Sequence, residues 1–210
     1  MLRGAQGNSF GSDFDGMGYT ARGKFSWHTG GSNMLHIDPK MKQLVQNQLE
    51  ERRKRAPGPE RPVTTVKSKA LHDLQFRASV EGHVFISDER ESAGGTDAGP
   101  APLRYFLAGV MMCHQVWTVK GAALADVKID NLEGEISGYV ARPDSPRKGG
   151  FDRATFLVNI DSPSPSEEVK KVVAKASDSC NAFVTFARGA RIDLTLVHNG
   201  KKIDERTYEG

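Results

Sequence analysis

Cysteine is scarce in this 210-residue chain, which has only Cys113 and Cys180. Two cysteines cannot staple a secreted, bridge-dense scaffold, and a chain of this length can bury a core without one. Long apolar runs are missing too. The longest, Tyr105 to Cys113, is about half of the ~18 residues a membrane span needs, so no membrane association is expected. Met1 to Ser12 is rich in Gly, Asn and Ser and has no apolar segment of the kind a secretory signal carries. A cytoplasmic protein is expected. A strong excess of one charge is also absent, since 29 Lys and Arg face 26 Asp and Glu. The small basic excess sits in residues 1–70, with 12 basic against 6 acidic residues, while the rest holds 17 against 20. It belongs to the N-terminal arm and says little about the main domain. No phosphate loop, no defensible Ser-His-Asp order and no short-spaced Cys/His ligand set is present, so neither a metal nor a cofactor is expected. The six histidines are scattered and read as solvated.

The chain divides into an arm, residues 1–62, and a main domain, residues 63–210. Residues 1–33 are glycine-rich with scattered aromatics, and Gly16 to Trp27 is a possible short strand. A helix is expected over about 39–55, with Asp38 as N-cap, Pro39 in the first position and Met41, Leu44, Val45, Gln48 and Leu49 as its stripe. Its end, Glu51-Arg52-Arg53-Lys54-Arg55, reads as a solvated basic terminus without interleaved aromatics, so nucleic acid is not expected as a partner. A Pro-rich linker from Ala56 to Pro62 follows.

The main domain opens with strands at Thr64–Val66, Leu74–Val80 and His83–Ser87. A long helix is expected over Ala101–Ala125, then strands at Leu132–Arg142 and Phe151–Asp161. A second helix, capped by Ser164 or Ser166, has Val169, Val172, Val173 and Ala176 as its inner stripe, and Asn181–Phe186 continues as a further turn or two up to Gly189. Arg191–His198 is a last strand, followed by Asn199-Gly200, a strong hairpin signal. The order predicts an α+β fold with largely antiparallel sheets.

On the first long helix Phe106, Gly109, Val110, Cys113, Val116 and Trp117 share one face, which puts Cys113 on a buried or half-buried side. Cys180 follows a polar triplet where one helix gives way to another, and a helix N-terminus lowers a thiol's pKa and favours its reaction as a nucleophile. Both cysteines pack toward one sheet, but 67 residues separate them. The residues alone leave a dithiol site and two structural cysteines equally open.

The stretch Gly94 to Cys113, "GGTDAGPAPLRYFLAGVMMC", resembles the OsmC/Ohr family of osmotically induced and organic-hydroperoxide-resistance proteins, in which a Gly-rich loop leads into a helix bearing a cysteine. Ala176 to Val197, "ASDSCNAFVTFARGARIDLTLV", is similar to the family's second cysteine segment. The likeness spans about residues 66–200. It implies an OsmC-like fold, with sheets packed around two central cysteine-bearing helices in an intertwined homodimer. It also implies a thiol peroxidase acting on organic or fatty-acid hydroperoxides. Cys113 would be the peroxidatic thiol and Cys180 the resolving thiol, with a small dithiol or lipoyl-type reductant resetting the pair. Met111, Met112, Phe106 and Trp117 are candidates for the walls of an apolar cleft.

Three positions depart from the family's peroxidases. Leu103 stands where they carry a glutamate, the hairpin turn Val80-Glu81-Gly82-His83 has no arginine, and Asn181 replaces the proline after the second cysteine. These departures motivate an alternative, a non-catalytic dimeric stress-response or binding protein that holds an apolar ligand.

Overall fold

The structure, a computed structural model, describes residues 35–56, 58–59, 62–144, 149–188, 192–198 and 201–208. The expected strand near Gly16–Trp27, the stop at Gly189 and the Asn199-Gly200 turn lie outside them. In chain order the elements are α1 (Met41–Lys54), β1 (Lys67–His72), β2 (Gln75–Val80), β3 (His83–Ser87), α2 (Pro102–Ala125), β4 (Asn131–Val140), β5 (Phe151–Asp161), α3 (Ser166–Ser179), α4 (Asn181–Arg188), β6 (Ile192–His198) and β7 (Lys201–Tyr208). β1, β2 and β3 form a meander, while β4–β5 and β6–β7 are antiparallel pairs. The architecture is the expected mixture of helices and antiparallel sheets.

Several boundaries differ from the sequence reading, each for a local reason. Thr64–Val66 is not a strand; β1 begins at Lys67. All six β1 residues are exposed, so no apolar alternation marks the strand. Its pairing with β2 defines it instead, with Lys67 opposite Ser79 and Ala70 opposite Phe76. α1 starts at Met41 because Asp38 caps the turn ahead of it: its Oδ1 accepts the Lys40 N–H at 2.8 Å, and its carbonyl accepts the Met41 N–H at 2.8 Å. The α1 stripe is narrower than expected, with Val45 buried and Leu44 54% exposed. α3 starts without a side-chain cap. Ser164 Oγ instead accepts the Lys128 N–H at 3.0 Å, tying the loop after α2 to the start of α3. Glu167 and Glu168 do occupy the first turn of α3, where the helix dipole favours them.

The end of α1 touches α2. The Arg52 guanidinium lies 5.8 Å and the Lys120 ammonium 5.4 Å from the centre of the Trp117 ring. Lys120 also donates to Gln48 Oε1 at 3.2 Å. Arg52 is exposed, as the basic run suggested, but it covers an aromatic ring as well as meeting water.

The loop into α2 is built on Asp88, which is only 1% exposed. Its carboxylate accepts the Glu89 N–H at 2.8 Å, the Thr96 hydroxyl at 2.6 Å, the Thr96 N–H at 3.0 Å and the Ala98 N–H at 3.3 Å. The Thr96 hydroxyl, chief among these donors, helps hold the Asp88 pKa down at about 2 against the opposing effect of burial. Gly95 is required here, because a Cβ on it would lie 2.0 Å from the Glu89 carbonyl oxygen. From this anchored loop Pro102 opens α2 at a position where its missing N–H costs nothing. α2 ends at Asp126, whose left-handed backbone (φ 56°) returns its N–H to the Ala122 carbonyl.

The buried apolar cluster is small. Ala122, Val127, Ile129 and Val172 form it, with Leu35, Ile37, Leu132, Ile160 and Val169 packed around. It joins the C-terminal end of α2 to α3 and the β4–β5 pair. The other end of α2 reaches the cysteines.

Candidate active site

α2 buries Val110, Met111, His114, Thr118 and Ala122. The i, i+3, i+4, i+7 pattern that makes this face includes a histidine, which the sequence reading placed in solvent. Of the face expected from the sequence, Val110 is buried, but Phe106 is 46% and Val116 51% exposed. Cys113 lies between the two faces and is half-buried.

Cys180 lies at the junction of α3 and α4, between the helices and not within one. Its N–H donates to the Ala176 carbonyl at 2.9 Å and closes α3, while its carbonyl accepts the Val184 N–H at 2.9 Å and opens α4. Its Sγ accepts the Phe183 N–H at 3.4 Å, so the sulfur itself caps α4. The side chain is fully buried.

The fold brings the two thiols together. Cys113 is a neighbour of Cys180, close enough to perturb its ionisation, and both cysteines are free. Burial pushes the Cys180 thiol up, and the neighbouring Cys113 raises it further, against the pull of the Phe183 and Ala182 amides. The sequence argument that a helix N-terminus would make Cys180 the better nucleophile is therefore overturned. The amides do act in that direction, but desolvation outweighs them. Cys180 keeps its proton, and Cys113 has the access to solvent that Cys180 lacks.

Two aromatic groups pack where α2, β5 and α4 meet. Phe106, Phe151 and Phe186 meet with ring centres 5.3–6.3 Å apart. Phe156, Phe183 and His114 form a second group at 4.9–5.5 Å. Of the four residues expected to line a cleft, only Phe106 is in these groups. Met111 is buried against the β4 backbone at Gly134, where a Cβ would collide with its sulfur. Met112 is 58% exposed on another side of α2, and Trp117 lies under Arg52. The sequence reading missed β5 and α4 as sources of wall residues. Phe183 and Phe186, three apart on α4, were the available signal.

His114 is 1% exposed. Its Nε2 lies 3.0 Å from Ser177 Oγ, and its Nδ1 has no hydrogen-bond partner among the described residues. Burial lowers its pKa. Among the described residues no three His, Cys, Asp or Glu side chains are grouped to hold a metal, and no helix is long and apolar enough to cross a membrane.

An α+β domain with two adjacent free thiols at a helix junction is the class this geometry defines. Residues 95–195 match the model of the family described as OsmC-like protein, and the chain carries an OsmC-like domain. Solved structures agree on the fold. An OsmC-like protein from Mycoplasma pneumoniae is 20% identical, with a TM-score of 0.56 over 61% of this chain and 89% of that one. A protein of Psychrobacter arcticus 273-4, assigned to osmotic stress induction and detoxification, is 13% identical, with a TM-score of 0.51 over 67% of this chain and 93% of that one. No curated protein matches in sequence.

Proposed function

We propose that this protein is an OsmC-like thiol peroxidase that reduces organic or fatty-acid hydroperoxides through Cys113 and Cys180. The observation that carries this reading is the adjacency of the two thiols, one half-buried and one buried with its proton held. The Cys113 thiolate attacks the terminal oxygen of ROOH. The O–O bond breaks, RO⁻ leaves and takes a proton to become ROH, and Cys113 becomes a sulfenic acid. The Cys180 sulfur then attacks the sulfenic sulfur, the S–O bond breaks, and water departs with the proton from Cys180. The resulting disulfide is opened by a small dithiol or lipoyl-type reductant, which leaves oxidised. The aromatic groups around α2, β5 and α4 suit an apolar R group.

A homodimer is part of the proposal. One chain leaves many large apolar side chains in water, among them Leu103, Met112, Val116, Leu157 and Val140, at 50–61% exposure. A second copy covering these residues would supply the missing burial. A groove of about 400 Å³ lined by Met41, Met112, Gln115, Val116, Val119 and Lys120 favours the second reading, a carrier of an apolar molecule.

Stopped-flow mixing of the reduced protein with cumene hydroperoxide tests the first reading. Rapid loss of peroxide that disappears in Cys113→Ser supports it; a Cys113→Ser variant as fast as wild type ends it. Native mass spectrometry showing a co-purified acyl molecule, with no turnover, would move the assignment to the carrier.

A further inference from the structure

His114 has no assigned part in the reaction, yet it is the residue next to Cys113 on α2, and its hydrogen-bond partner Ser177 lies one turn before Cys180 on α3. The Ser177 hydroxyl donates to the Val173 carbonyl at 3.1 Å, one turn back along its own helix. In that arrangement its oxygen accepts, and His114 Nε2 is the donor across the 3.0 Å contact. This is the tautomer with hydrogen on Nε2 and a bare Nδ1 that has no hydrogen-bond partner among the described residues. Leaving such an acceptor unpaired carries a desolvation penalty that an apolar side chain of similar size would not incur. Packing alone therefore does not account for an imidazole here. Its one donated bond joins α2 to α3 beside both thiols.

We propose that His114 and Ser177 form a positioning clamp that holds Cys113 and Cys180 in register for disulfide closure. The proposal rests on the dithiol reading above. A disulfide needs its two Cα atoms within ~4.4–6.8 Å, so sliding or rotation of α3 against α2 directly lowers the effective concentration of one thiol at the other. The aromatic contacts act on the same unit. The His114 ring packs on Phe183, whose amide binds Cys180 Sγ. The ring thus fixes the α4 side of the junction, and its N–H fixes the α3 side. Both residues are positioning residues and touch no reacting atom.

The test is the equilibrium of the Cys113–Cys180 disulfide with glutathione, measured on the full chain by thiol trapping and mass spectrometry. Oxidised glutathione accepts two electrons from the dithiol. The disulfide forms, and two glutathione thiols are released with the two protons. Ser177→Ala should lower the constant for closure about three- to tenfold, which is a potential higher by about 15–30 mV. Ser177→Thr retains the hydroxyl and should restore it. Thr118→Val removes a neighbouring buried hydroxyl, which donates to the His114 carbonyl, and should cost stability without moving the potential. An unchanged potential in Ser177→Ala overturns the clamp. Should that variant fail to fold, the imidazole ¹⁵N spectrum of the wild type decides. An Nε2-protonated ring with a slowly exchanging proton supports the clamp, and an Nδ1-protonated ring overturns it. Wild type that closes the disulfide but ignores hydroperoxides sinks the peroxidase reading and leaves the clamp standing. Turnover in wild type with no shift in Ser177→Ala sinks the clamp alone.

Discussion

The Phe183 N–H donates to Cys180 Sγ at 3.4 Å, and the same thiol has Cys113 as its ionisable neighbour. One buried atom therefore accepts an amide from the first turn of α4 and neighbours the candidate nucleophile. The arrangement suits the two different roles proposed for the cysteines. The buried thiol resists ionisation because desolvation outweighs the amides, which suits the resolving role proposed for it.

Replacing Cys180 with serine should separate the two chemical steps. The variant keeps Cys113 and should consume a single equivalent of hydroperoxide, then stop with a sulfenic acid that dimedone traps. Mass spectrometry would show the adduct on Cys113. Sustained turnover in Cys180→Ser with the dithiol reductant would remove Cys180 from the mechanism.

The Asp88 anchor predicts a specific sensitivity to acid. Its folded pKa of about 2 lies below the ordinary 3.8. A depressed carboxyl contributes stability that is complete above its unfolded value and is lost as pH falls through the folded one. The loss should therefore run from about pH 4 to pH 2. Asp88→Asn should be less stable than wild type at neutral pH and show a flatter profile across that window. Parallel denaturation curves for the two proteins between pH 4 and 2 would contradict the assignment.

Gly95 offers a test of the same loop by sterics alone. A methyl group there meets the Glu89 carbonyl oxygen at 2.0 Å and its carbon at 2.5 Å, both of them backbone atoms that cannot swing aside. Overpacking of this sort typically costs about 1–3 kcal/mol, and the loop must shift to relieve it. Gly95→Ala should therefore lower Tm and, by disturbing the entry to α2, slow the reaction at Cys113. A Tm equal to wild type would show that the loop yields freely.

The parts of the fold written in local pattern were readable, and those written in long-range contact were not. α2 was legible because Pro102 follows a turn-rich loop and the helix then runs long and apolar, and it begins within a residue of the expected place. β4 and β5 were legible through the turn-rich segment between them. β1 was placed too early because Lys-Ser-Lys-Ala-Leu-His carries no alternation, and only its register with β2 defines it. The site divides in the same way. Residues flanking each cysteine marked Cys113 and Cys180, but nothing within 67 residues of chain could show that the sulfurs meet. Burial of His114 was hidden for the same reason: the hydroxyl that satisfies its N–H belongs to Ser177, 63 residues away.

That buried histidine gives the last prediction. Burial holds the His114 pKa below 6.5, so between these two values the unfolded chain binds a proton that the folded chain refuses. Stability then rises with pH across the window. It is complete above about 6.5, declines as pH falls below that value, and stops declining once the folded imidazole itself protonates. The decline sets in near 6.5, well above the Asp88 window that begins near 3.8, so its onset can be read apart. His114→Gln keeps a side-chain N–H for Ser177 and loses the titration. Its denaturation midpoint, measured in urea from pH 7 downward, should fall less steeply than that of wild type, and the difference between the two slopes should vanish above pH 7. Identical slopes would mean that His114 takes up its proton as readily in the fold as outside it, and that the ring is not sealed between Phe156 and Phe183.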